Sequence, residues 1–377
     1  MIKQLTIRNL YNYEQEITLD MTPSKEMRSF YKNDQAVVLY FALSDVSSDL
    51  LSAVRESIDY ILSGGNTESS SNNDTSLFEL LVDNEGNEIR YGFEIDSDDG
   101  VVVDEWILSK SKHSRKEMML FQRCEQTVNE KHFDAPERKI ISEVESNSLV
   151  LTEFLNADVQ NRIVSELIDS IKRVVFISQS SETDSSTIAK SIRLINENDM
   201  KKNTLESFIS NVDLRVNELN KQEDASQSSL QLETVQDYSV EFVDNNDRSY
   251  KFEELPTGTK RLVMIVTTIL SKLNKDYTFF IDEIEGGLQP DQVELLLSFF
   301  ELITTMSPNN QFIITTNRDV QYLSNQSHSK SYRLDAFDTN LMQDHDFDLM
   351  KLFEALSEER DDAHLVQVKK KKKQWLN

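Results

Sequence analysis

The sequence predicts an α/β fold that carries an antiparallel β meander and a helical insertion. Three observations lead there. Between residues 277 and 316 an apolar strand, a helix and a second apolar strand follow one another, the pattern of parallel strands joined by a crossover. Between 77 and 108 three segments are separated by the turn signals Asn84-Glu-Gly86 and Asp98-Asp-Gly100, and Ile89, Tyr91, Phe93 and Ile95 alternate with polar residues. Between 187 and 221 the residues Leu205, Phe208, Ile209, Val212, Val216 and Leu219 make one apolar stripe at helical spacing.

In chain order, Ile2, Leu5 and Ile7 mark a short strand, and Ile17 and Leu19 alternate after it. Gln35-Ala-Val-Val-Leu-Tyr-Phe41 is a continuous apolar run of strand length, the kind buried on both faces. Ser47 and Ser48 stand where caps belong, before a helix whose apolar residues Leu50, Leu51, Val54, Ile58 and Ile61 follow a 3.6 period and which stops at Gly64-Gly65. A polar loop over 66–76 leads into the meander. Segment 149–172 reads as helix and 173–177 as strand, followed by a Ser-rich loop over 178–186. After the striped segment and the polar stretch 222–229 come strands near 239–243 and 249–252. A helix over 259–273, a strand over 277–282, a helix over 291–305 and a strand over 311–316 complete the pattern.

Composition narrows the function classes. The 377 residues hold 66 acidic and 40 basic side chains, a formal charge of −26, one cysteine and eight glycines. Such a surface repels a nucleic-acid backbone, whose binding draws on Lys and Arg against phosphates, so direct nucleic-acid binding is not expected. The one obvious basic run, Lys369 to Lys373, reads as a solvated tail. A lone cysteine, Cys124, excludes an internal disulfide framework and a Cys-based zinc site. No window reaches the roughly 18 apolar residues of a membrane helix, and the first residues lack a secretory layout. A soluble, cytoplasmic protein is expected. Typical glycine usage would give roughly 26. None of the eight present opens a G-x-x-x-x-G-K-[ST] or G-x-G-x-x-G pattern, which excludes an intact phosphate loop and a dinucleotide fingerprint.

Three segments of the C-terminal half carry chemistry. Thr278-Phe-Phe-Ile-Asp282-Glu283 is an apolar strand ending in two carboxylates, at the end of a parallel strand that faces the ligand crevice. There an Asp can hold magnesium through its water shell, and a Glu can orient or deprotonate an attacking water. The same pair can also serve as turn or cap residues. Leu255-Pro-Thr-Gly258-Thr259-Lys260-Arg261 opens a helix whose N–H groups and dipole suit a phosphate, or is an ordinary turn and cap. Gln311-Phe-Ile-Ile-Thr-Thr-Asn317 is a buried strand with a polar end that neighbours the first strand.

Taken together, TGTKRL, FFIDEIEGGLQP and FIITTN resemble the signature segment, the Walker B and D-loop, and the switch strand of AAA-family ATPases with an ABC/SMC-like head, of the type found in bacterial abortive-infection and phage-defence operons. MIKQLTIRNLYNYEQEITLDM, YGFEIDSDDGVVVDEWILSKSK with MMLFQRCEQ, and SFISNVDLRVNEL resemble that family's opening strands, middle region and pre-signature segment. The resemblance implies a P-loop NTPase-like core, discontinuous over 1–62 and 235–335. A meander and arm over 77–177, a helical insertion over 178–234, and an acidic segment with a Lys-rich tail over 336–377 surround it. It also implies head-type dimerisation with itself or a protein partner, with ATP and Mg as ligands.

Several positions depart from the family. Its phosphate loop corresponds to Phe41-Ala-Leu-Ser-Asp-Val46-Ser47-Ser48. Phe41 and Val46 replace both glycines, Ser47 replaces the lysine, and only Ser48 keeps the magnesium-ligand hydroxyl. Pro256 replaces the signature serine, Asn317 the switch histidine, and Gln289 the D-loop histidine, while Asp282, Glu283, Gly258 and Thr259 are retained, with Lys260 following in the signature-like segment. Three readings follow. The chain is a degenerate ATPase that binds no nucleotide productively and acts as a regulatory or structural subunit. Alternatively it hydrolyses ATP through an unorthodox phosphate loop, with Asp282 and Ser48 on magnesium. In the third reading it lends its Thr257–Arg261 segment in trans to an intact ATPase.

Overall fold

The structure, a computed structural model, describes residues 1–10, 16–21, 37–43, 47–64, 75–84, 86–124, 127–178, 185–212, 214–220, 238–273, 275–307, 310–316 and 329–334. It is α/β, in two units. One comprises Met1–Phe176, Asp276–Glu283 and the chain from Pro308 onward; the other comprises Ile177–Lys275 and Ile284–Ser307.

The first unit begins with strands β1 (Ile2–Arg8), β2 (Ile17–Asp20) and β3 (Val37–Leu43) and helix α1 (Ser47–Ser63). The meander follows as β4 (Thr75–Asn84), β5 (Asn87–Asp96), β6 (Val102–Lys110), β7 (Met118–Cys124) and β8 (Thr127–Asn129). β1 and β2 join it in one antiparallel sheet of order β2-β1-β4-β5-β6-β7-β8. Period-2 alternation buries Phe78, Leu80 and Val82 of β4 and Ile89, Tyr91, Phe93 and Ile95 of β5 on one side. Against them pack Leu50, Val54, Ile58 and Ile61 of α1. Helices α2 (Ala135–Glu143), α3 (Val150–Asn156) and α4 (Arg162–Lys172) add Ile141, Phe154 and Ile171 to the same core. Each such side chain contributes roughly 1.5–3 kcal/mol on burial. The helical segment expected over 149–172 is thus two helices. Asp158, at φ 49°, breaks it, and the Asn161 side chain accepts from the backbone N–H groups of Ile163 and Val164 to start the second.

Two features lock this unit. Gly92 lies opposite Trp106 in the sheet. A Cβ at 92 would stand 2.4 Å from Trp106 Cζ2 and 3.0 Å from the Phe78 carbonyl oxygen. Gly92→Ala is therefore expected to lower stability by about 1–3 kcal/mol in chemical denaturation, part of it regained with Trp106→Leu. Glu105, fully buried on β6, accepts from Tyr91 Oη (3.1 Å), Arg123 Nη2 (3.2 Å) and the N–H groups of Val150 (2.9 Å) and Leu151 (3.1 Å). It ties the start of α3 to the sheet and satisfies that helix's first donors. Arg123 also donates to the carbonyls of Ser148 (2.6 Å) and Glu145 (3.3 Å). Burial raises the Glu105 carboxyl pKa, against the pull of Arg123 and the two N–H groups.

After β9 (Val174–Ile177), the second unit holds α5 (Ser185–Asn196), α6 (Asp199–Ser210), β10 (Leu214–Asn220), β11 (Tyr238–Asp244), β12 (Ser249–Tyr250) and α7 (Thr257–Lys272). Strand β13 (Thr278–Ile281) belongs to the first unit, and α8 (Pro290–Met306) to the second. Ile188, Ile192, Leu205 and Ile209 fill the second unit's core, and Phe208 of α6 meets Phe299 of α8 edge-on at 5.3 Å. The apolar stripe predicted as one helix divides between a helix and a strand. The helix ends at Ser210, and Val216 and Leu219 lie on β10, paired antiparallel with Phe242 and Ser239 of β11. Asn211 caps the end of the helix, its N–H donating to the Ile209 and Phe208 carbonyls, and Val216 fell on the helical spacing by coincidence of period.

Strands β14 (Gln311–Thr316) and β15 (Ser329–Leu334) complete a five-stranded sheet of order β15-β3-β14-β13-β9 in which β13, β14, β3 and β15 pair in parallel. Phe279, Phe280, Ile281, Phe312, Ile313 and Ile314 are all buried, as a strand covered on both faces requires. Gln311 joins this sheet to the first strand of the other. Its Oε1 accepts the Ile2 N–H at 2.8 Å and its Nε2 donates to the Ile2 carbonyl at 2.7 Å.

Candidate functional site

Register decides what gathers at the end of the parallel sheet. Ile281 pairs with Ile314, Thr315 with Phe41 and Thr316 with Ala42. Asp282 follows Ile281, so it stands level with Thr315, with the backbone of Phe41 two strands away, about 10 Å at the usual strand spacing. Ser47 and Ser48 open α1, whose chain comes from this same end of β3. The side chains at 41, 47 and 48, positions 44–46 and Asn317 lie outside the described residues.

One buried hydroxyl organises the carboxylate pair. Thr315 Oγ1 donates to Asp282 Oδ1 at 2.8 Å and accepts the backbone N–H of Glu283 at 2.7 Å. Glu283 has φ 42°, in the left-handed region, where a residue with a Cβ is strained by roughly 1–3 kcal/mol. The Thr315 bond holds that turn in place. Both carboxylates are half-buried at the C-terminal end of a parallel strand, the setting for a water-shelled magnesium ion and an oriented water. The sequence placed Thr315 only in the polar end of a buried strand, with no role of its own. Its signal there was faint: a hydroxyl closing a buried apolar strand, in register with Asp282.

The second group lies in the other unit. Gly258, Thr259 and Lys260 form the first turn of α7 behind Pro256, which supplies no capping side-chain bond. A Cβ at Gly258 would stand 2.8 Å from the Gly287 carbonyl oxygen and 3.0 Å from Gln292 Oε1. The close approach of the two segments thus requires a glycine at 258 whether or not a ligand binds. Gln289 precedes α8 and donates its N–H to Gln292 Oε1 at 3.0 Å. Among the described residues there is no cluster of three or more His, Cys, Asp or Glu able to hold a metal ion, and no helix is long and apolar enough to cross a membrane.

The family model described as "AAA domain, putative AbiEii toxin, Type IV TA system" matches residues 38–316, from β3 to the end of β14. The chain belongs to this AAA family. Its core is accordingly P-loop NTPase-like, with an antiparallel meander and a helical insertion. No curated protein matches the chain. Among solved structures, an SMC head bound to the C-terminal winged-helix domain of ScpA is 12% identical, with TM-score 0.48 over 85% of this chain and 91% of that one. The SMC head domain of Thermotoga maritima is also 12% identical, with TM-score 0.40 over 86% and 91%. The cbiO1 protein of Clostridium perfringens, part of the ABC transporter complex cbiONQ, is 13% identical, with TM-score 0.35 over 85% and 80%. The family assignment rests on the match over 38–316.

Proposed function

We propose that this AAA-family protein is a degenerate ATPase, a head-like subunit of a bacterial defence-type assembly that does not hydrolyse ATP in its own phosphate loop and acts through association with itself or a protein partner. The observation that carries this reading is the loop composition at the sheet end occupied by Asp282 and Thr315. From Phe41 to Asp49 the chain has no Lys or Arg, and Asp45 and Asp49 add negative charge. By the family resemblance Phe41 and Val46 stand in sequence for the two loop glycines, which carry no Cβ against phosphate. The residues present therefore do not fit a nucleoside triphosphate: the charge opposing its β- and γ-phosphates is missing.

A second reading is favoured by a different observation. The Thr315 bond holds Asp282 and the Glu283 backbone in an ordered turn, so the carboxylate end stands formed. This supports a working hydrolase with an unorthodox phosphate loop, in which Asp282 and Glu283 hold magnesium and the attacking water. Calorimetric titration with magnesium and a non-hydrolysable ATP analogue separates the two. The degenerate reading expects no heat up to millimolar ligand. Micromolar binding, about −8 kcal/mol, together with turnover abolished by Glu283→Gln, would overturn it.

A further inference from the structure

Cations on the antiparallel sheet are almost all neutralised by neighbouring acids. Lys3 pairs with Asp83 and Glu88, Arg8 with Glu94, Arg90 with Glu79 and Glu117, Lys110 with Glu88, and Arg123 with Glu105. The turn between β6 and β7 breaks this rule. Lys112, His113, Arg115 and Lys116 are exposed, and among the described residues none of their side chains makes an ion pair or hydrogen bond. In a chain with 26 surplus negative charges, an unneutralised basic cluster is the exception.

The turn is also built. The Ser114 N–H donates to the Ser111 carbonyl at 2.9 Å, Ser114 Oγ to the Lys116 carbonyl at 2.9 Å, and the Lys116 N–H back to Ser114 Oγ at 3.1 Å. The Lys112 N–H donates to Asn87 Oδ1 at 3.3 Å. Gly86, at φ 90°, lets the Lys112 stem lie over it: a Cβ there would sit 2.9 Å from Lys112 Cδ. Beside the cations Met118 is 47% exposed. A held basic turn with an apolar neighbour offers charge and a greasy contact together.

We propose that the β6–β7 turn is a docking surface for an acidic polypeptide segment that also carries an apolar side chain, with Lys112, Arg115 and Lys116 facing its carboxylates and Met118 its apolar residue. A nucleic-acid duplex presents the same sign of charge. It extends well past one turn, however, and would meet the acid-rich remainder of the chain, whereas a short peptide reaches only the turn. Met118 has no counterpart in a phosphate backbone.

The test is fluorescence anisotropy of the full chain with a labelled peptide of repeated Glu-Glu-Leu, beside a labelled DNA duplex of matched length. The peptide should bind, and more weakly as salt rises through the range in which exposed charges are screened. The triple variant Lys112→Glu, Arg115→Glu, Lys116→Glu should weaken peptide binding by about tenfold or more. Because these side chains are exposed and only the Lys112 stem packs on the fold, over Gly86, its melting temperature should fall by no more than about 4 °C. Met118→Ser should weaken binding with its salt dependence unchanged. Duplex binding tighter than peptide binding and lost in the triple variant would reassign the turn to nucleic acid. Absence of peptide binding, or binding that the triple variant leaves intact, would overturn the proposal.

Discussion

Replacing Glu105 by Ala is expected to destabilise the first unit by about 3–5 kcal/mol, because it strands a buried guanidinium. Arg123 is only 10% exposed at its side chain, and the Tyr91 hydroxyl and two N–H groups of α3 would lose their acceptor in the same step. For a unit of this size that corresponds to a melting shift on the order of 10 °C. The double variant Glu105→Leu, Arg123→Leu should recover part of the loss, since removing both charges leaves no unpaired ion. Additive losses would show that the pair is not coupled. The pH response has a definite sign. Because burial raises this carboxyl above its ordinary value of 4.5, the folded state holds the proton more tightly than the unfolded chain. Its contribution to stability is fully present below about 4.5 and is lost as pH rises through the folded value. Glu105→Gln should flatten that part of the profile.

Thr315→Val is expected to cost about 1–3 kcal/mol, since an isosteric methyl leaves the Glu283 N–H without its acceptor inside the protein. The larger consequence is geometric. With the hydroxyl gone, nothing ties Asp282 and the Glu283 backbone to the same atom, and the left-handed turn at Glu283 loses its support. Thr315→Ser should behave close to wild type. Amide hydrogen exchange at Glu283 reads this directly. Faster exchange in the Val variant and not in the Ser variant is the expected outcome, and equal protection in all three would remove Thr315 from the role given it here.

The strands and helices flanking the motifs were legible because their signals are local. Asp282 and Glu283 end an apolar run, Gly64 ends a periodic helix, and Gly86 and Gly100 sit in turns at positive φ. What the sequence concealed depends on pairing. That β1 lies beside β4 follows from long-range register and leaves no local trace. The helical reading of Val216 failed because a strand and a helix can share apolar positions over a few residues. Thr315 was recognisable as a strand-end polar residue, but its bond to Asp282 exists only because β13 and β14 align. The basic turn was hidden for another reason: the sequence shows cations at 110, 112, 115 and 116 without showing which of them meet a carboxylate.

The bond from Gln311 to Ile2 has a consequence for how the protein is made. It joins residues 309 apart in sequence, and β13, β14 and β15 are translated after the whole of 177–275, which belongs to the other unit. The antiparallel sheet can assemble while the ribosome is still working, but the bonds from Ile2 to Gln311 wait until β14 has been made, after the whole of 177–275. Closure entropy over so long a span makes that union slow. Until it forms, the apolar strand Val37–Leu43 has neither β14 nor β15 beside it. The nascent chain is therefore most exposed to misassociation in the interval between the synthesis of β3 and that of β14.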